Sequence, residues 1–568
     1  MRHDLEGLAY QVAKLLDRLI DGESSAQKTE IPLMVIVLWA KPGRRRSHLR
    51  VIYRRVPARL ASRNPHLEPQ LIPMKKTPAL GFLPHAVLGF TLTPVLTLLP
   101  RVGRYANRRP SLLKRVLPID AALAEISFQL KLLFICAASA VAFGLPSPAQ
   151  ALEPGKIWVA SWTASPQGPY PAGWAVAQPD LSFALPRGDT DGATDQTFRL
   201  IVKPDLWSKT IRLRLANTFG SRPVTLGAVT VGLQSTGGNL LAGKAQQVLF
   251  QGKPEVVIPV GEEVYSDEVA LDLDPADPLV EGHNLAVSFF VKGASGPLTW
   301  HCDAFYTSYL TAPGHGDHTR DKNEAAFPFT TTSWFLLDAV EAQADPDTAV
   351  VCAFGDSITE GVNSTLNGSD TWPDVLSQRL HSAYGSKITV VKEAISGNTV
   401  TSCPRNGGTS VNGPSAADRL DRDLLGVAGL RYVVWLEGIN DLGACLISAD
   451  EVIQGYKDVV ERLHAKKIKV IGATVVSSFG SPIASYGFPK IDTERKKLND
   501  FIRIGGLFDA VADFDAATLD PATGAMKATM QPNDTTGGPG ELLHPNRAGY
   551  QAMAETIDIK TLAPEPSK

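Results

Sequence analysis

VVCAFGDSITEG, residues Val350–Gly361, is an apolar run that ends at Phe354 and turns at once into Gly355, Asp356 and Ser357. An apolar run this short, without polar alternation, reads as a strand buried on both faces. Glycine, aspartate and serine are common turn residues for local reasons alone. The alternative is a serine displayed at a strand end as a nucleophile. A serine hydroxyl is weak at neutral pH, so that reading needs a base, a group to orient the base, and donors for a developing oxyanion.

Outward from this stretch the chain repeats one pattern. The runs AVVCAF, ITVVKEA, YVVWLEG, KVIGATVV and FDAVADF alternate with the helical candidates TWPDVLSQRLHSAY, AADRLDRDLLG, SADEVIQGYKDVVERLHAKK and DTERKKLNDFIRIGG. In the third helix Ser448 at the N-cap and Glu451 three residues on form a capping box. Near-continuous apolar strands between helices predict a parallel sheet covered on both faces, an α/β fold. Such sheets gather functional residues at the carboxyl ends of their strands, where Ser357 falls.

Three further stretches fall at such ends. EAISGNTV places Gly397 after the second strand, where a missing side chain lets a backbone N–H approach a ligand. LEGIND places Asn440 after the third, with an amide able to donate. GELLHPNRAGY places His544 three residues beyond Glu541, after the last strand. Asp356 and Asp441 are assigned local hydrogen bonds and no catalytic step.

Together, GDSITEG, the glycine after strand two, the G-x-N-D of GIND, and acid-x-x-His followed by Pro-Asn resemble the four blocks of the SGNH hydrolases, the GDSL esterases and lipases. The resemblance is best over residues 348–560. It implies a flavodoxin-like domain, Ser357 as nucleophile, His544 as its base, and an oxyanion hole from the N–H groups of Ser357 and Gly397 and the Asn440 amide. It implies no cofactor and no metal. One position departs from the family pattern, which generally has Asp where this chain has Glu541. Glu541 is expected to complete a triad; the alternative is a Ser–His dyad with the imidazole held by a backbone carbonyl. The G-x-S-x-G elbow of the α/β-hydrolases is absent, since Thr359 stands two beyond Ser357.

Upstream, from Lys156 to Val340, the pattern is of strands. TIRLRLANTF alternates Ile211, Leu213 and Leu215 with Arg212 and Arg214, the period of a sheet with one wet face. VTLGAVTVGL, PEVVIPVG, VALDLDP and NLAVSFFVKG follow with Gly, Pro and Asp punctuation. An all-β sandwich, jelly-roll-like, is expected over 152–342, a linker over 343–347, and the hydrolase domain over 348–568. Some bacterial SGNH enzymes carry a β-rich domain in that place.

The 568 residues are 44% hydrophobic and 20% charged, with net charge -2. That balance hides an asymmetry: residues 1–151 hold 22 Lys and Arg against 9 Asp and Glu, so the main body is acidic. An acidic body argues against nucleic acid as a partner. Within residues 116–151, Lys131, the run LLFICAASAVAFGL and the small-x-small pair Ala149 and Ala151 read as a secretory signal. Its internal position predicts a translation start downstream of Met1, leaving 1–115 an uncertain upstream segment. Secreted or periplasmic localisation follows as an expectation, with no stable membrane anchor after cleavage. Cys136 would leave with the signal. Of the other cysteines, Cys352 reads as a buried thiol, and a Cys403–Cys445 bridge is the favoured pairing.

His315 and His318 with Asp317 read as a polar loop, the alternative being a metal site with too few ligands. Trp162, Trp174, Trp207 and Trp300 read as mostly core, the alternative being sugar-stacking faces. The expectation is a secreted serine esterase acting through an acyl-enzyme on short-chain or acetyl esters, small-molecule or polysaccharide. The alternatives are a lipid-directed esterase or lysophospholipase, an acyltransferase, and an inactive carbohydrate-binding protein.

Overall fold

Ala349–Phe354 are all fully buried, which a strand tolerates only when both faces of its sheet are covered. In the computed structural model this run is β1 (Ala349–Gly355) of a five-stranded parallel sheet. The structure describes residues 153–173, 175–186, 192–241, 245–277, 280, 283–403, 412–483, 485–532 and 541–564. The upstream segment, the signal-like segment with Cys136, and Trp174 lie outside them.

After β1 come α1 (Ser357–Glu360), α2 (Trp372–Tyr384), β2 (Ile388–Ala394), α3 (Ala416–Leu420), β3 (Leu430–Leu436), α4 (Ile439–Gly443), α5 (Ala449–Ala465), β4 (Lys469–Ala473), α6 (Pro489–Ile504), β5 (Ala510–Ala512), α7 (Phe514–Thr518) and α8 (Arg547–Glu555). Strand order is β2-β1-β3-β4-β5, the flavodoxin-like order, with its switch point beside β1. Local chemistry starts the helices as read from sequence. Thr371 and Ser448 each close a capping box, with Asp374 and Glu451, and Ser415 caps α3. The predicted fourth strand is shorter than its apolar run: after Ala473 the chain leaves the sheet, and Asn499 of α6 satisfies the N–H and C=O of Val475.

The N-terminal region is all antiparallel β. One sheet pairs Ile157–Thr163, Leu337–Ala344, Thr210–Ala216 and Glu263–Tyr265 in that order. A second is built around Thr194–Val202, Leu285–Ala294 and Val224–Leu233. Leu213, Leu215 and Val340 of the first share one core with Phe198, Phe289 and Val231 of the second, as in a sandwich. Burying each such large side chain contributes about 1.5–3 kcal/mol.

One sequence expectation needs correction. The face of Thr210–Ala216 carrying Arg212 and Arg214 is not wet. Arg214 is 3% exposed; it pairs with Asp338 and donates to Gly426 O at 2.9 Å. Arg212 is half-buried between the Trp158 and Tyr265 rings and donates to Glu341 at 2.7 Å. Arg214 reaches the parallel-sheet layer at Gly426, and each arginine meets a carboxylate, Asp338 for Arg214 and Glu341 for Arg212. Gln343 and Ala344 are buried at the end of Leu337–Ala344, and a turn at Asp345–Thr348 leads straight into β1. All described residues belong to one compact unit.

The seam between sandwich and parallel sheet is polar and closely bonded. Thr163 Oγ1 donates to Lys392 O at 3.1 Å, Ser165 Oγ to a Glu393 carboxylate oxygen at 2.6 Å, and Arg422 to Pro166 O at 2.8 Å. Asp205 accepts from His381 at 2.9 Å and also from Ser377. Val159, Ala160 and Leu206 of the β region are part of the parallel-sheet layer's apolar core.

Candidate active site

Ser357 opens α1, directly after the turn that closes β1. Asp356 caps the helix, accepting from Ile358 N at 3.0 Å, and Gly361 ends it in the left-handed conformation at φ 108°. The turn needs Gly355: a Cβ there would lie 2.1 Å from Leu436 O. As the first residue of a helix, Ser357 has a backbone N–H without an intrahelical acceptor. Its Oγ is 2.7 Å from His544 Nε2.

His544 stands in the loop before α8, on the opposite side of the sequence but in contact with α1. Glu541 Oε1 bonds the His544 Nδ1 and accepts from His544 N at 2.9 Å. The same oxygen accepts from Asn363 Nδ2 at 2.8 Å. Burial alone would raise the Glu541 pKa, but its bonds and charge interaction with His544, with Asn363 added, hold it below the ordinary carboxylate value. The carboxylate therefore stays ionised where it fixes the imidazole with Nδ1 protonated and Nε2 free to accept. Leu542, next to Glu541, has φ 54°.

Gly397 and Asn440 sit at the ends of β2 and β3, on either side of β1. Gly397 has φ 79°, and a Cβ would approach Asn412 side-chain atoms at 2.8–3.1 Å. The Asn440 amide is oriented from both ends: Tyr486 Oη donates to its Oδ1 at 2.7 Å, and its Nδ2 donates to Asn398 O at 2.8 Å. A longer bond, 3.3 Å, joins Nδ2 to Asp356 Oδ2. Asn440 thus links the residue after Gly397 with the residue before Ser357. The structure brings Ser357, His544 and Glu541 into one hydrogen-bonded line and sets the Gly397 and Asn440 turns beside it.

Asp441 accepts from Val400 N at 2.9 Å and from Thr401 N at 3.0 Å; burial pushes its pKa up to about 7. Burial, then the nearby Glu437, also raises Asp356 well above the usual carboxylate range. Both act in local hydrogen bonds. Asn363, Asn398, Tyr486 and Arg419 were not singled out in the sequence. The bonds Asn363–Glu541, Tyr486–Asn440 and Arg419–Asn398 join residues 178, 46 and 21 positions apart, so no local motif marked them.

Cys403 and Cys445 form a disulfide with Cα atoms 5.5 Å apart, and Cys352 is a buried free thiol. The bridge ties the loop after Gly397 to the loop after Asn440, where Cys445 N donates to Asn440 O at 2.9 Å. It spans 42 residues, and a loop of that size gains about 2–4 kcal/mol of stability from cross-linking. Cys445→Ser should lower the denaturant midpoint accordingly; a midpoint equal to that of the oxidised parent would contradict this.

The other candidates have structural partners. His318 Nδ1 bonds Asp321 at 2.8 Å, its Nε2 bonds His315 O at 3.1 Å, and Asp317 caps Thr319. Trp162 packs edge-on against Trp334, while Trp300 is buried and donates to Ala172 O at 2.8 Å. Trp207 is half-buried against the sandwich core.

Several solved structures are similar to somewhat over a third of the chain. A protein assigned to the G-D-S-L lipolytic family from Desulfitobacterium hafniense DCB-2 is 22% identical over 37% of this chain and 97% of that one, with TM-score 0.26. A GDSL-like lipase from Bacteroides thetaiotaomicron VPI-5482 is 18% identical over 38% and 87%, with TM-score 0.27. The acetyl xylan esterase AlAXEase is 16% identical over 36% and 96%, with TM-score 0.26. No curated protein matches the chain. Residues 353–552 match the GDSL-like Lipase/Acylhydrolase family, a span that holds Ser357, Gly397, Asn440, Glu541 and His544. That match places a GDSL-like lipase/acylhydrolase domain within the chain and supports a carboxylic-ester hydrolase.

Proposed function

We propose that the protein is an exported serine esterase that removes short acyl groups, acetyl above all, from hydroxylated substrates such as carbohydrate. The observation that carries the catalytic part is the line Ser357 Oγ, His544 Nε2, His544 Nδ1, Glu541 Oε1, with the first pair 2.7 Å apart. Ser357 Oγ attacks the ester carbonyl while His544 Nε2 takes its proton. The carbonyl oxygen becomes an oxyanion that the N–H groups of Ser357 and Gly397 and the Asn440 amide receive. Each such donor is worth about 2.7–4 kcal/mol of barrier. His544 then protonates the departing alcohol, and water attacks the acyl-enzyme by the same route in reverse.

Export is supported by the signal-like segment and by the disulfide, which persists in oxidising compartments. The preference for small acyl groups rests on analogy with exported enzymes that carry a β-rich companion domain. An acyl-length series of p-nitrophenyl esters with the purified protein tests it. The expected kcat/KM is highest for acetyl and falls steadily with chain length. A maximum at long chains would mean a lipid-directed esterase, and glycan binding without turnover of any ester would mean a binding protein.

A further inference from the structure

Arg419 is 1% exposed, an unusual place for a guanidinium. It lies on α3, away from the serine and the histidine, and the mechanism above gives it no step. Its donors are nevertheless spread over the parts that must hold still. Nη2 donates at 3.0 Å to Gly355 O, two residues before Ser357. Nε donates at 2.9 Å to Asn398 Oδ1, and Asn398 follows Gly397 and receives the Asn440 amide on its carbonyl. Nη1 lies within bonding distance of Ser165 Oγ at 3.1 Å, Glu393 O at 3.0 Å and Asp423 at 3.1 Å. The guanidinium plane stacks 4.0 Å above the Phe354 ring.

We propose that Arg419 is the positioning residue of the oxyanion hole, locking the Ser357 and Gly397 turns in register, and that Ser165 of the β region holds Arg419 in place. A planar guanidinium presents its N–H groups in fixed directions, so one acceptor cannot shift without disturbing the others. Asn398 then passes this registry on, since its own amide donates to Asn412 O and Pro414 O at 2.8 Å each. Ser165 is itself fixed, because its hydroxyl hydrogen goes to Glu393 at 2.6 Å and leaves a lone pair for Arg419. Buried ion pairs are poor sources of net stability, so the position of this one is better explained by geometry. The sandwich is on this account part of the catalytic apparatus, through one side chain on its first connection.

The inference rests on the proposed oxyanion hole, and the experiment separates the two. Arg419→Lys keeps the charge and loses the fork; Ser165→Ala removes the outer support together with the hydroxyl's bond to Glu393, and is the second variant should Arg419→Lys not fold. Each is made in the full chain, and kcat is counted per site titrated with an acylating ester. Arg419→Lys should lower kcat by about 10- to 100-fold with KM nearly unchanged, the range set by small displacements of catalytic groups. Ser165→Ala should lower kcat in the same direction by less. The inhibition constant of a trifluoromethyl ketone, which forms a tetrahedral oxyanion on the serine, should rise by the factor that kcat/KM falls. Unchanged kcat per titrated site in folded Ser165→Ala and Arg419→Lys would overturn the inference. So would a loss confined to fewer folded molecules. Ser357→Ala in parallel distinguishes the failures: if it stays active, the proposed mechanism falls first; if it is dead while the other variants are unimpaired, only Arg419 is misassigned.

Discussion

Replacing Ser357 with alanine should reduce kcat on an acetyl ester by about 10⁶-fold, and His544→Ala by about as much, with the double variant no worse than either. In the proposed mechanism the two side chains act as a unit, a proton passing between atoms that lie 2.7 Å apart. Without the hydroxyl there is nothing to acylate; without the imidazole the hydroxyl keeps its proton at the moment of attack. What remains is the background that oriented N–H donors give to attack by water. The fold should be unaffected by Ser357→Ala, since Asp356, not Ser357, caps α1. Steady-state rates with a circular-dichroism check decide it. A folded Ser357→Ala protein with a tenth of parental activity would rule out the acyl-enzyme.

The second large effect is at Glu541. Glu541→Gln should lower kcat by about 10⁴-fold, the loss seen when a triad acid becomes an amide. One carboxylate oxygen serves three donors, His544 Nδ1, His544 N and Asn363 Nδ2. Glutamine offers one carbonyl and one NH₂. Whenever its NH₂ faces Nδ1, the imidazole carries its proton on Nε2 and has no lone pair for Ser357. Because the folded Glu541 pKa is lowered, the stabilisation it provides is fully present above the unfolded value of about 4.3. That stabilisation is lost only as pH falls through the folded value. The carboxylate therefore remains charged through mildly acidic pH, and Glu541 itself should add no acid limb to the parent's kcat profile there. Near-parental activity in Glu541→Ala would favour the Ser–His dyad, with the carboxylate a bystander.

Glu541 also illustrates how much of the site could be read in advance. Spacing alone put an acid three residues before a histidine, and strand-end logic put Ser357, Gly397 and Asn440 at one edge of a parallel sheet. These are local signals: an apolar run followed by small residues makes a buried strand and a turn wherever it occurs. The capping boxes at Thr371 and Ser448 are of the same kind. That the glutamate is also bonded by Asn363, which approaches from 178 residues away, was not a local signal.

The seam was the part least legible from sequence. Arg212 and Arg214 alternate with apolar neighbours as a solvent-facing row would, and nothing in the alternation reports that a second layer covers that row. His301 makes the same point. It belongs to the sandwich, yet its Nε2 is 3.1 Å from Glu360 of α1, which also pairs with Lys392 at 3.0 Å. Burial by itself would discharge this histidine, but Glu360 raises its pKa above the ordinary value.

By itself the sequence determined the parallel and antiparallel regions, the order of the strand-helix units and the residues at the strand ends. Hydrophobic period, capping chemistry and turn residues act over a few positions and are written in the chain. Only the tertiary structure decided that Asn440 is aimed by Tyr486 and Asn398, that Arg419 joins both turns to Ser165, and that the sandwich's arginine face is closed. Those outcomes depend on buried polar groups finding partners, and an unpaired group inside a protein is costly enough to dictate which distant residues meet.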